Sequence, residues 1–262
     1  MKVVRIRGKE QVELVDRPEP RPRGEFVVVK VEVAPMCTEY KGFKQGWVND
    51  CLGHEAAGTV VATDGVRRVA EGQRVLVLPQ YPCGRCRFCL RGEYVYCEQS
   101  LDALEATGNE AGTATYAQYL LKQDWMLYPI PDDLSTEHAS LANCALGPAL
   151  GGLKLAKVSG LDTVLVTGLG PVGLGAVLLA KWMGARVAAV DPIAYRRQLA
   201  VDLGADDIFD SSEGDALDRV RSIGIDTAIE CSGSPLAQRF GIDAVRRLGT
   251  IVFVGEAKEL TV

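Results

Sequence analysis

This sequence predicts two domains of unlike architecture, a compact β barrel or sandwich over residues 1–150 and then a doubly wound parallel α/β sheet over 151–262. Three observations carry that expectation. The first 130 residues hold many short β-rich runs with no repeated helices between them. From Ser135 the residues become Ala/Leu-rich and helical, through Leu141–Leu146 and beyond Pro148. From Thr163 onward, strand-like and helix-like runs alternate.

In the β-rich part, Val27, Val29, Val31 and Val33 share one face of a period-two pattern within Glu25–Val33. Val3–Ile6, Ala57–Ala62, Arg74–Leu78, Tyr116–Leu121 and Met126–Ile130 read as further strands, punctuated by Gly/Pro-containing segments such as Arg17–Gly24. In the second part, TVLVTG from Thr163 is a buried strand, and Pro171–Met183 a helix closed by Gly184. ARVAAVD, ending at Asp191, is a second strand, and Ala194–Leu203 a helix closed by Gly204. Asp207–Phe209, Asp226–Glu230 and Thr250–Val254 supply three more strands, with helices near Asp215–Ile223 and Pro235–Leu248 between them. Five strands joined by helices imply parallel pairing with right-handed crossovers.

Composition narrows the function classes. Hydrophobic residues at 47% and charged residues at 24% describe a soluble globular chain long enough for two cores. A net charge of −5 argues against a nucleic-acid partner, whose binding surface is normally basic. The start, MKVVRIRGKE, mixes charges among its valines and has no signal-peptide core. The longest uncharged run, Thr163–Ala180, is broken by Gly168, Gly170, Pro171 and Gly173, so no membrane span is expected. Eight cysteines without a secretion signal point to reduced thiols and metal in the cytoplasm.

The turn GLGPVG carries Gly168, Gly170, Pro171, Val172 and Gly173. It follows a strand, opens a helix and lies inside a βαβ unit, the context a dinucleotide-binding turn requires. Its glycines permit a tight turn and close approach to a pyrophosphate, which the helix N-terminus attracts. Asp191, 23 residues after Gly168, stands where an acid binds the ribose hydroxyls and repels a 2′-phosphate, so NAD is expected over NADP. Arg196 and Arg197 follow closely and are expected to flank the adenine or face solvent.

Cys83, Cys86, Cys89 and Cys97 stand at C-x2-C-x2-C-x7-C. Four thiols at this spacing can close a tetrahedral site, for which zinc is the best-suited metal; a disulfide pair, a redox CxxC and an iron–sulfur cluster are the rivals. Arg85, Arg87 and Arg91 would offset part of the thiolate charge. Of the remaining candidates, Cys37, His54 and Cys144 supply three ligands of the kind a catalytic zinc takes, leaving a fourth position for water or substrate oxygen. Cys51, Cys231 and His138 read as packing, surface or capping residues.

Taken together, GHEAAG around His54, the four-cysteine lobe, GLGPVG with its distal acid, and ECSG around Cys231 resemble the zinc-dependent alcohol dehydrogenases of the medium-chain dehydrogenase/reductase superfamily. The resemblance implies a GroES-like catalytic domain followed by a Rossmann domain, with two zinc ions per chain and NAD. It makes Cys37, His54 and Cys144 the catalytic ligands, Glu55 a further or alternative ligand, and Cys83, Cys86, Cys89 and Cys97 the structural set. The implied reaction is hydride transfer between an alcohol or polyol and NAD, or the reverse from the carbonyl. A noncatalytic, zinc-stabilised NAD-binding module is the alternative.

Two departures from the family pattern are visible. A Ser or Thr commonly lies two places after the first zinc cysteine; here that place holds Glu39, with Thr38 one place early. The histidine sometimes found five places on is Gly42. Thr38 or Glu39 is therefore expected to handle the alcohol proton, with Tyr40, Phe43 and Trp47 near the pocket. The family sheet usually has six strands followed by a return to the catalytic domain, whereas five are read here before Thr261 and Val262. A shortened or fragmentary form is expected, and the family's homo-oligomeric state is not carried over.

Overall fold

The computed structural model describes residues 1–49, 51–65, 68–257 and 259. Thr261 and Val262, on which the expectation of a shortened form rests, lie outside the described residues. The chain divides into two units, Met1–Asn143 and Cys144–Val262.

Unit one opens with a hairpin, β1 (Lys2–Gly8) against β2 (Gln11–Asp16). The sequence pattern does not announce β2: most of that strand is exposed, and its turn uses Glu10 at φ 57° in place of a glycine. The main sheet comprises β3 (Phe26–Val33), β4 (Ala56–Ala62), β5 (Arg74–Val77), β6 (Tyr119–Gln123) and β7 (Leu127–Pro129). Their order is β6-β3-β4-β5-β7, antiparallel throughout. Val27 and Val29 from β3 bury one face against Val60, Val75, Val77 and Leu120, with Val31 packed alongside. Phe26 and Val28, on the opposite face, meet Leu121 and Ala103 of the short helix α2 (Ala103–Thr107). Both faces at the start of β3 are therefore apolar. The helix α1 (Glu39–Gln45) lies between β3 and β4, and α3 (Thr136–Ser140) follows β7.

A π-helical turn, Ala142–Leu146, straddles the division at 143/144 and runs into α4 (Gly147–Leu155), so the expected boundary at 150 falls inside a helix. Such wide turns interrupt a helix locally and recur at functional sites. Asn143 donates its side-chain amide to the carbonyl of Val77 in β5 at 2.8 Å.

Unit two alternates β8 (Thr163–Thr167), α5 (Pro171–Trp182), β9 (Arg186–Val190), α6 (Ala194–Asp202), β10 (Asp207–Phe209), α7 (Ala216–Ile223), β11 (Ile225–Glu230), α8 (Pro235–Ala244) and β12 (Val245–Phe253). All pairings are parallel, in the order β10-β9-β8-β11-β12. Successive β8 residues serve opposite cores: Val164 and Val166 pack with Ala176 and Val177 of α5, and Leu165 packs with Val220 and Ala228. Helices therefore cover both faces, which is why the strands read as continuous apolar runs. The order reverses between β8 and β11, and ligands of open α/β sheets bind at such a point, beyond the carboxyl ends of the strands. The helix expected to reach Leu248 stops at Ala244. Val245 already pairs with Ile225; the chain then loops outward, with Leu248 at φ 62° and 99% exposed, and pairing resumes at Thr250.

Candidate functional site

The ligand atoms of Cys83, Cys86, Cys89 and Cys97 all lie within 4.8 Å of one another. Cys89 Sγ is 3.9 Å from Cys83 Sγ and 3.4 Å from Cys86 Sγ. A zinc ion about 2.3 Å from each sulfur of a tetrahedron would set sulfur–sulfur edges of about 3.8 Å, so the residues fit the ion. Backbone donors also face the sulfurs: Cys83 N–H and Gln99 N–H point at Cys97 Sγ from 3.3 and 3.4 Å. Backbone N–H groups, that of Cys89 foremost, bring the Cys86 thiol down, while burial foremost and the neighbouring sulfurs push the Cys89 thiol up. All eight cysteines are free of disulfides. Arg87 pairs with Glu98 (2.7 Å).

The second cluster joins Cys37, His54, Glu55 and Cys144, whose ligand atoms also fall within 4.8 Å of one another. Cys37 precedes α1, His54 and Glu55 lead into β4, and Cys144 sits in the π-helical turn. Two sulfurs, an imidazole and a carboxylate at this spacing suit zinc. Glu55 is buried. Glu39, the first residue of α1, turns its carboxylate back onto this cluster. Its Oε1 lies 2.6 Å from His54 Nδ1, and its Oε2 accepts the Cys37 N–H at 2.9 Å. Burial alone would raise the Glu39 pKa, but these hydrogen bonds outweigh it and leave it below the ordinary value. The same contact raises the His54 pKa against the opposing effect of burial. Engaged through Nδ1, the His54 ring is held in a fixed orientation by Glu39.

Beside the cluster is a cavity of about 260 Å³ lined by Thr38, Glu39, Trp47, Asn49, Cys51 and His54, among others. Thr38 is the residue before α1, and its side chain makes no capping bond. Trp47 reaches the cavity, whereas Tyr40 and Phe43 do not line it. Two residues that no sequence pattern marks also stand here: Asn49 in the lining, and Tyr116 near the cluster. The Tyr116 hydroxyl donates to Pro35 O at 3.1 Å, and its pKa is raised by burial and by the charges of Glu39, Glu55 and Cys37. Cys51 Sγ lies 3.3 Å from Thr113 Oγ1. His138 is exposed, its N–H held by Ser135 Oγ.

In unit two, the GLGPVG turn leaves β8 and enters α5 with Gly170 at the N-cap and Pro171 and Val172 in the first turn. Gly168 has φ 82°, and a Cβ there would stand 2.5 Å from Ser232 Cβ. A Cβ on Gly173 would stand 1.8 Å from the Gly168 carbonyl oxygen, so this glycine lets helix and turn close on one another. Gly168, Asp191, Arg196, Ser211, Ser232 and Phe240 are among the residues lining a cavity of about 440 Å³; Gly170, Pro171, Val172 and Gly173 are outside its lining. Asp191 is 3% exposed and accepts the N–H groups of Leu169 and Ile193, both at 2.8 Å. Arg196 Nη1 stands 3.6 Å from the same carboxylate, while Arg197 turns to Asp210 (2.9 Å). Ser232 of the ECSG segment, with Ser211 and Ser234, which no sequence motif marks, adds hydroxyls to this cavity. Cys231 donates to Ile229 O at 3.8 Å, and burial pushes its thiol pKa up, so it is an inert packing residue.

Comparison with known proteins agrees with both halves. Residues 23–132 match the alcohol dehydrogenase GroES-like domain, and residues 171–262 match the zinc-binding dehydrogenase domain. The chain is 30% identical to sorbitol dehydrogenase of Bacillus subtilis, over 97% of its own length and 75% of that protein. It is 33% identical to L-threonine 3-dehydrogenase of Pyrococcus abyssi, over 97% and 74%. Among solved structures, alcohol dehydrogenase TADH from Thermus sp. ATN1 superposes with a TM-score of 0.83 at 29% identity, covering 100% of this chain and 80% of that one. No helix among the described residues is long and apolar enough to cross a membrane.

Proposed function

Because the chain belongs to the zinc-dependent alcohol dehydrogenase family, we propose that it transfers a hydride between an alcohol or polyol, or the matching carbonyl compound, and NAD. The observation that carries this reading is the second cluster. A structural zinc site is closed by cysteines, alone or with histidines, as the four cysteines of the lobe would close it. Here two cysteines and a histidine are joined by a buried carboxylate, and the histidine also lines the cavity of about 260 Å³.

Bound zinc supplies Lewis acidity toward a substrate hydroxyl or carbonyl, and the bound dinucleotide supplies a hydride acceptor or donor. Cys37, His54 and Cys144 hold the metal, with Glu55 as a further or exchangeable ligand. Glu39 fixes the His54 ring and braces Cys37 through its N–H. Thr38, whose side chain is uncommitted to capping, faces the cavity and takes the substrate hydroxyl proton toward solvent, with Glu39 as the second candidate. The start of α5 receives the pyrophosphate, with Gly168 and Gly170 allowing its approach. Asp191 receives the ribose diol, and its charge disfavours a 2′-phosphate, which makes NAD the preferred form. Arg196 flanks that position. The eight disulfide-free cysteines suit a reducing cytoplasmic setting.

Metal analysis combined with an alcohol panel tests the reading. Two zinc ions per chain are expected, one of them lost in Cys37→Ser with the fold intact, and NADH formed from at least one alcohol or polyol. One zinc per chain and no NADH from any of them would instead favour a noncatalytic binding module.

A further inference from the structure

Pro79–Pro82 is the segment by which the chain enters the four-cysteine lobe, and β6 holds it residue by residue. Lys122 Nζ donates to Pro79 O (3.2 Å) and Gln80 O (2.9 Å). The Tyr81 hydroxyl donates to Leu121 O at 2.8 Å, and Gln123 Nε2 donates to Pro82 O at 2.8 Å. The remaining carbonyl, Tyr81 O, accepts the Leu101 N–H at 2.8 Å from the chain leaving the lobe. Every carbonyl from 79 to 82 is therefore taken, and the neck of the lobe is closed.

Lys122 is the unusual member of this set. It is 1% exposed, and its partners are two carbonyl oxygens and the face of Tyr81, 3.4 Å from the ring centroid. Taking an amine out of water is costly, and burial holds its pKa well below the ordinary lysine value. A methionine would fill a similar volume without that cost. Reaching two successive carbonyls is what the lysine adds.

The same side chain lines a cavity of about 60 Å³ together with His54, Leu78, Pro79, Tyr81 and Thr115. Thr115 Oγ1 is buried there and has no hydrogen-bond partner among the described residues. The space is polar and has room for about two water molecules. Pro79 forms part of its lining, and the bonds from Lys122 to Pro79 and Gln80 are among those that hold this wall.

We propose that Lys122 is a positioning residue tying the four-cysteine lobe to the wall behind His54, so that the metal state of the lobe is felt at the Cys37–His54–Glu55–Cys144 cluster. This inference rests on reading both clusters as metal sites. The route runs from Cys83 through Pro82–Pro79 to the cavity wall; Lys122 holds its cavity end at Pro79 and Gln80, and the neighbouring Gln123 holds Pro82 beside Cys83.

Cobalt(II) replacing zinc in the full chain gives a readout independent of turnover. Wild-type protein is expected to take up two ions. Cys97→Ser, which removes a lobe ligand, should weaken cobalt binding at the second cluster about tenfold and shift its ligand-field band. In the Lys122→Met background the same substitution should change that affinity less than about twofold. Tyr81→Phe breaks the bond to Leu121 O but spares the lysine bonds, and should leave the coupling in place. Equal effects of Cys97→Ser in both backgrounds would overturn the proposal while leaving the two-metal reading intact. Uptake of one ion by wild type would overturn both. Should Lys122→Met fail to fold, amide exchange decides without it: Thr115 N–H, bonded to Gly53 O, and Tyr116 N–H, bonded to Leu52 O, exchange faster in Cys97→Ser. Unchanged exchange at both overturns the coupling.

Discussion

Glu39 Oε1 lies 2.6 Å from His54 Nδ1, and the other oxygen of the same carboxylate takes the N–H of Cys37. One acidic side chain thus orients two members of the second cluster. Glu39→Gln keeps the shape but weakens the charge-assisted contact with the ring. It should reduce zinc affinity at this cluster by about 10–100-fold and leave the four-cysteine lobe loaded. Competition with a chromophoric chelator measures both; equal loss from the two clusters would mean a general loss of fold.

The proton route is a separate matter. Thr38→Ala should retain zinc and lower turnover by about tenfold or more near neutral pH, with a changed pH–rate profile. If the profiles of Thr38→Ala and Glu39→Gln both match wild type, neither residue handles the proton.

Asp191 holds two backbone N–H groups and still borders the nucleotide cavity. Replacing it with Asn removes the charge that favours a ribose diol. NAD affinity should fall about 10–100-fold, and the preference for NAD over NADP should narrow. Titration of both dinucleotides against intrinsic fluorescence gives the ratio, and an unaltered ratio would show that Asp191 does not set the preference.

Gly173→Ala places a methyl group 1.8 Å from a carbonyl oxygen unless the helix withdraws. A destabilisation of about 3 kcal/mol is expected, at the upper end of overpacking costs, together with loss of NAD binding. Gly170→Ala meets nothing within 4 Å and serves as the mild control. Urea unfolding of the pair should separate them clearly.

Asp226 links two strand ends in unit two: its carboxylate accepts the Thr163 N–H at 2.7 Å and the Arg246 Nε at 2.6 Å. Those two contacts hold its pKa below the ordinary carboxylate value. The stabilisation is therefore complete above the unfolded pKa of about 3.9 and is lost as pH falls through the lower folded value. Asp226→Asn should cost about 1–2 kcal/mol near neutral pH, with the difference from wild type shrinking as the solution is acidified through that range. A pH-independent difference would show that the carboxylate charge contributes nothing.

Much of the architecture was legible because burial leaves a periodic trace. The Val27–Val29–Val31 alternation and the apolar run of β8 each follow from the number of faces the strand must hide. The two metal-suited clusters were legible because cysteine and histidine are scarce and chemically distinctive. Exposed pairing leaves no such trace: β2 is held by its neighbour in the hairpin and turns at Glu10 without a glycine. The end of α8 was hidden for a related reason, since Val245 suits a helix face and a strand equally well and only its pairing with Ile225 decides. The reach of a side chain is also invisible to spacing. Nothing in the order Cys37, Thr38, Glu39 announces a carboxylate folded back onto His54, and nothing in Lys122-Gln123-Asp124 announces that three polar residues in a row are buried.

Ser232 follows a strand that pairs with β8 yet lies 64 residues from Gly168 in sequence, and its Cβ occupies the space a side chain at 168 would need. The two positions consequently behave as one unit of design. A screen that diversifies the nucleotide turn alone should recover glycine at 168 whatever cofactor is selected for. Broadening the choice requires opening position 232 in the same library, and supplying at 168 a residue that also tolerates the left-handed backbone there.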